Sequence, residues 1–211
     1  EWGSAGYNSA GVGMSSTETI FSSEKALSAD PYVEDGLAEN CTYNIVLPYI
    51  RTAREGVERL GMLIEKYGSA EGFGIGFIDC SEVWYLENAC GHYWLACRIP
   101  CDSYFVTGNQ SRYRDYDPHD NENFMASAGL VEFAERNGLY DPAYGKFDFH
   151  EAYSRDEKLD VTYNYPRVWA LQQMFSPAIS NDVTSNTFPV FAQAEKTIGI
   201  SELRKAFRFH Y

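Results

Sequence analysis

Apolar positions change their spacing along the chain, and each change marks a predicted element. Over Ala53–Tyr67 the residues Ala53, Val57, Leu60, Ile64 and Tyr67 recur at helical intervals and line one face. Thr52 and Glu55 have the spacing of a capping box, and Gly68 supplies the stop. From residue 73 to 107 the period shortens. FGIGFID, EVWYLEN, HYWLACRI and SYFVT are aromatic and β-branched runs split by Cys80-Ser81, 89–91 and 100–102, which predicts a four-run antiparallel meander. Residues 5–21 read as two further short strands bending at Gly6, Gly11 and Gly13. Helical spacing returns over 123–137 with Gly138 as the stop, over 166–175, and over 202–209 behind a Ser201 cap. Strands followed by helices predict an α+β layered domain, not a parallel α/β sheet. With no repeat, low-complexity tract or linker-like shift, residues 1–211 read as one domain.

Composition narrows the function classes. A hydrophobic fraction of 45% and an aromatic fraction of 16% suit a packed core. The net charge of −13 argues against nucleic-acid and anionic-membrane partners, which need concentrated positive charge. Basic residues such as Arg51, Arg54, Arg59 and Lys66 are interleaved with acids. No apolar run reaches the roughly 18 residues of a membrane-spanning helix, and no signal-peptide pattern opens the chain. Five cysteines are odd in number and too few for a disulfide scaffold. Four of them crowd between Cys80 and Cys101, where one or two disulfides fit, and Asn40-Cys41-Thr42 matches a glycosylation acceptor. The compartment stays open between cytoplasmic and secreted or vesicular.

Several chemical candidates reduce to bland readings. Cys90-Gly91-His92 sits at a predicted hairpin tip, whereas working Cys–His dyads come from distant segments. Asp115, Asp117, His119, Asp120 and Glu122 form an acidic loop that matches no calcium or zinc spacing, so no metal site is expected. The glycines around residue 74 lack the lysine of a phosphate loop. Asn8 in GYNSAGV, Asn109 in TGNQSRY and Arg167 in YNYPRVW are by themselves a turn former, a loop amide and a stacked surface group. Two amides and a guanidinium would suit an oxyanion hole and a carboxylate anchor, but spacing alone does not bring them together.

Longer stretches carry a resemblance. GLAENCTYNIVLPYIRTAREGVERLGMLIEKYGSAEG, EVWYLENACGHYWLACRIPCD, ENFMASAGLVEFAERNGLYDP and YNYPRVW resemble the cysteine dipeptidases, the group of lactobacillal dipeptidase A, with the secernins as more distant relatives. The likeness covers nearly the whole chain in order, and LPYIRTAREGVERLG is its most specific part. It implies an N-terminal-nucleophile hydrolase fold, an αββα sandwich of two antiparallel sheets between helical layers. In such enzymes a cysteine at the mature N-terminus attacks the peptide carbonyl, and its own α-amine, with a pKa near 8, serves as base. No cofactor is implied.

By the same resemblance Asn8 lines the oxyanion hole, Asn109 contacts substrate and the nucleophile's amine, and Arg167 completes the site. His92 and Trp94, in GHYW, match a central-strand segment that is structural or substrate-binding. The nucleophilic cysteine of the family corresponds to a stretch ahead of Glu1-Trp2, and relatives continue beyond FRFHY. The expectation is therefore the central part of the domain, an incomplete sandwich that needs its N- and C-terminal segments and does not hydrolyse peptides alone. Its substrate is then a small peptide, and oligomers of relatives extend to this chain as an expected homo-oligomer. Two alternatives remain at this stage: an amidase of the bile-salt hydrolase and penicillin acylase kind, and a non-catalytic, secernin-like interaction protein.

Overall fold

A computed structural model describes residues 5–17 and 20–210. The expected strands over 5–21 extend across positions 18 and 19, which lie outside the described residues. Helix α3 (Ala53–Tyr67) begins at Thr52, whose side chain accepts from the Glu55 amide, and ends at Gly68 with φ 75°. The other half of the capping box differs: the Glu55 carboxylate accepts from the Arg51 amide at 2.6 Å instead. Ala53, Val57, Leu60 and Ile64 are fully buried, while Tyr67 stands half exposed at the helix end.

Strands β3 (Gly74–Ile78), β4 (Val83–Asn88) and β5 (Trp94–Arg98) are consecutive and antiparallel, and β1 (Ala5–Tyr7) with β2 (Gly13–Thr17) continues the sheet past β3. Of the glycines expected to bend this segment, Gly11 takes a positive φ of 83°, whereas Gly6 and Gly13 are strand residues. Three expectations are corrected. SYFVT does not complete the meander; its β6 (Tyr104–Phe105) pairs with β8 (Phe191–Ala192) in a separate two-stranded ribbon. The place beside β5 goes to β7 (Phe124–Ala126), cut from a stretch with helical spacing. Ladder bonds to β5 outweigh local propensity there, and Gly129 at φ 72° delays the helix, so α4 spans only Leu130–Arg136. Helix α7 (Ile200–Ala206) is capped at Gly199, not Ser201, because the Glu202 carboxylate reaches the Gly199 amide.

The large sheet has the order β1-β2-β3-β4-β5-β7. One face packs on α2 (Thr42–Val46) and α3, joining Met14, Ile75, Phe77, Trp84, Leu86 and Trp94 to Val46, Val57, Leu60 and Ile64. Helix and sheet approach so closely that a Cβ on Gly61 would collide with the Trp94 ring. On the other face Tyr85, Leu95 and Cys97 pack against Tyr113, α4 and α5 (Phe149–Tyr153), with Ala26 of α1 (Glu24–Ala29) at the margin. That layer stops at β4. On the same face Tyr7, Ser15, Thr17 and Ile78 of the first three strands are exposed.

Candidate active site

Asn109 lies in the loop that leaves β6, and Arg167 in the first turn of α6 (Tyr165–Phe175). A π-helical turn, Asp160–Asn164, feeds directly into α6 and brings Asn164 beside Arg167. The Arg167 guanidinium lies over the Tyr163 ring at 4.2 Å, and its Nε donates to the Tyr163 carbonyl at 3.0 Å. Its Nη2 donates to Asn109 Oδ1 at 2.6 Å and also to Asn164 Oδ1. The structure thus joins Asn109 and Arg167. The carbonyl end of the Asn109 amide is fixed on a cation, which sets the orientation of the amide plane. Polarised by that cation, the amide becomes a stronger hydrogen-bond donor.

A buried polar base supports the Asn109 loop. Glu87, fully buried on β4, accepts from Ser111 Oγ at 2.6 Å and from the Arg112 amide at 2.9 Å. The Arg112 side chain runs on to the Pro189 carbonyl at 2.8 Å and the Val106 carbonyl at 3.3 Å. Burial pushes the Glu87 carboxyl up to about 7 against the pull of Ser111 and Arg112, and burial lowers Arg112 to about 10. Gln110 donates to Asn186 Oδ1 at 2.8 Å, and Asn186 bonds His150 Nε2 at 3.0 Å. His150 Nδ1 reaches the Ser111 carbonyl at 3.2 Å, which only a donor can do, so Nε2 is the acceptor. Burial lowers the His150 pKa and keeps the ring neutral. Each of Gln110, Ser111 and Arg112 therefore has a buried partner, and Asn109 is held at the head of that row.

Asn8 does not join this cluster. Its Nδ2 donates to the Leu47 and Ile50 carbonyls at 2.9 and 2.8 Å, and its Oδ1 accepts from the Ala10 and Val12 amides, both at 3.0 Å. All the bonds the amide needs are made within the β1–β2 turn and the chain ahead of α3. The turn sits at the sheet edge, three strands from β4, or about 14 Å at the usual strand spacing. It also lies at the Ile78–Val83 end of the ladder, whereas Glu87 pairs with Gly74 at the other end. Asn8→Ala is expected to lower stability by about 1–3 kcal/mol through the stranded carbonyls and amides, with kcat nearly unchanged. Denaturant titration alongside steady-state kinetics checks this. A kcat loss at unchanged stability would reinstate Asn8 as an oxyanion donor.

His92 and Trp94 spend their side-chain bonds on other elements. His92 Nδ1 pairs with Asp30 Oδ1 at 2.8 Å, and the same carboxylate takes the His92 amide at 2.5 Å, closing the β4–β5 turn on the end of α1. Trp94 is buried against α3 and donates to Glu65 at 3.2 Å, on the opposite face from Glu87. The five thiols are unpaired. Cys90 and Cys97 are buried, and burial raises both pKa values, so neither is a ready thiolate. Cys41 donates to the Ala38 carbonyl, while Cys80 and Cys101 are exposed at the β3–β4 turn and beyond β5. In the acidic loop, Asp117 and Asp120 accept from nearby backbone amides and cap the turns.

Periodicity and motif spacing do not single out Glu87, Asp160 or Asn164. Glu87 had a signal, a lone acid inside the apolar run VWYLEN; Asn164 had none beyond its place ahead of Pro166.

Comparison with known proteins gives this geometry a context. The profile of Peptidase family C69 matches residues 1–211. The chain is 54% identical over 211 residues to a probable dipeptidase of Salmonella dublin, covering 99% of this chain and 49% of that protein. It is 38% identical to a probable dipeptidase of Latilactobacillus sakei, over 98% of this chain and 43% of the relative. To a dipeptidase of Bifidobacterium longum it is 36% identical, over 100% of this chain and 44% of the relative. The chain thus spans about half the length of the curated relatives it matches.

Proposed function

Because this chain belongs to peptidase family C69, we propose that it forms the oxyanion-binding part of a cysteine-type dipeptidase with an N-terminal-nucleophile αββα fold. The observation that carries the reading is the Arg167–Asn109 bond, which orients and polarises the Asn109 amide beside a rigid polar base. The solvent-exposed side chains on one face of β1, β2 and β3 support the fold assignment. Exposed Tyr7 and Ile78 and the small residues between them would suit a second sheet laid across that face. The positions of the five cysteines support a thiol brought by other parts of the polypeptide, since among the described residues no cysteine bonds Asn109 or Arg167.

In this mechanism the thiolate attacks the peptide carbonyl carbon, and the carbonyl π pair moves to oxygen. The Asn109 NH2 donates to that oxyanion. Collapse of the intermediate expels the amine, which takes up the proton released by the thiol, and leaves a thioester. Water then cleaves the thioester, releasing the acid and restoring the thiol. A panel of dipeptides, longer peptides and non-peptide amides tests the reading in the complete enzyme. Dipeptide turnover that stops on thiol alkylation is expected. Turnover that survives full alkylation, or is confined to non-peptide amides, would contradict it.

A further inference from the structure

We infer that Asn164 is the positioning residue that fixes Asn109 for catalysis, an assignment that rests on the dipeptidase reading above. Asn164 is 1% exposed, and its amide engages the backbone of Asn109 from both sides. Asn164 Oδ1 accepts from the Asn109 amide at 3.1 Å, and Asn164 Nδ2 donates to the Asn109 carbonyl at 2.8 Å. This is the two-point grip that a neighbouring strand would make, supplied by one side chain. The same Oδ1 receives Arg167 Nη2, so a single atom registers the guanidinium against the residue it orients.

The Asn164 amide cannot flip without losing these bonds. Asp160, 2% exposed and four residues earlier in the π-turn, accepts from Asn164 Nδ2 at 2.5 Å and fixes which end is nitrogen. Asp160 is held in turn by the Glu157 amide at 2.9 Å. A π-turn carries one more residue per turn than an α-helix, and such turns recur at functional sites. Here the turn sets Asn164 and Arg167 on one side of the helix, both facing the Asn109 loop. The space is also closed to larger residues at the adjoining position: a Cβ on Gly108 would meet the Asn164 carbonyl at 3.1 Å and Arg167 Nη2 at 3.3 Å.

A group that acts only by aiming another is exposed by a double-mutant cycle on kcat. In the complete enzyme, Asn164→Ala is expected to lower kcat about 10²-fold with KM within a factor of about three, as for a donor displaced by roughly an ångström. In an Asn109→Asp background, where the donor is already gone, the same substitution is expected to change kcat less than about threefold. Additive losses in the two backgrounds would overturn the assignment, because they would mean Asn164 acts independently of Asn109. So would an Asn164→Ala enzyme of normal kcat. If Asn164→Ala does not fold, Asn164→Asp keeps the volume and the Oδ1 acceptor while replacing the donor with a carboxylate oxygen beside Asp160, and the cycle is run with it. Failure of the dipeptidase reading looks different: there Asn109→Asp alone would leave dipeptide turnover intact.

Discussion

Asn109→Asp in the complete enzyme is expected to lower kcat about 10²–10³-fold while the melting temperature stays within a few degrees. The exchange keeps shape and volume. It also keeps the oxygen that Arg167 Nη2 grips at 2.6 Å, and gives that cation a carboxylate partner. The backbone grip of Asn164 on residue 109 is untouched, since it uses only the amide and carbonyl of the main chain. What disappears is the NH2 donor, replaced by an acceptor that repels a developing oxyanion. Loss of one oxyanion donor typically costs about 10²–10³ in rate. Steady-state kinetics on a dipeptide, paired with thermal unfolding, separates this from a folding defect. If the Asn109→Asp enzyme melts far lower, Asn109 is chiefly structural.

The largest expected loss of stability belongs to Glu87→Ala. The substitution strands Ser111 Oγ and the Arg112 amide without their acceptor and leaves the buried Arg112 guanidinium without the carboxylate whose charge favours its protonated form. Breaking a buried charge partnership of this kind costs about 3–5 kcal/mol. In a domain of this size each kcal/mol moves the melting temperature by roughly 2–4 °C, so a drop of about 6–20 °C is expected. The pH dependence has a definite sign. Glu87 holds its proton more tightly in the folded protein, up to about 7 against an ordinary 4.5. Between those values the unfolded chain binds fewer protons than the native one, so this group's contribution to stability falls as pH rises and levels off above about 7. Glu87→Gln, which cannot titrate, should flatten that segment of the stability–pH curve. Unfolding titrations across the window check it, and an unchanged slope would show that other groups set it.

Asn109 and the partners of Glu87 lie in one loop, which is less legible in the sequence than the scaffold. Helix α3 could be read from sequence because burial of Ala53, Val57, Leu60 and Ile64 and the Thr52 cap are local properties of consecutive residues. The β3–β4–β5 hairpins were readable for the same reason. β7 was not, because pairing with Cys97 and Leu95 decides its state and helical spacing over 123–137 points elsewhere. Gly61 shows the same limit: only the Trp94 ring across the interface explains why the helix carries a glycine there.

At the site, the family resemblance led to Asn109 and Arg167, two residues 58 positions apart that no periodicity links. It also led to Asn8, whose amide is spent on the turn that holds β1 to the segment before α3. Asn164 was invisible because its importance comes from a π-turn, a departure from regular helical spacing that the sequence does not announce. Glu87 was visible in principle, as an acid among apolar strand residues, but its partners Ser111 and Arg112 come from 24 and 25 residues away.

In the proposed mechanism the Asn109 amide, aimed by Arg167 and Asn164, receives the oxygen of the carbonyl under attack. A crystal structure of the complete enzyme with a dipeptide aldehyde, which traps a thiol as a tetrahedral adduct, tests it most directly. The adduct oxygen is expected about 2.7–3.1 Å from Asn109 Nδ2, with the Arg167 bond to Oδ1 intact. An adduct whose oxygen is held by other donors, with the Asn109 amide out of reach, would contradict it.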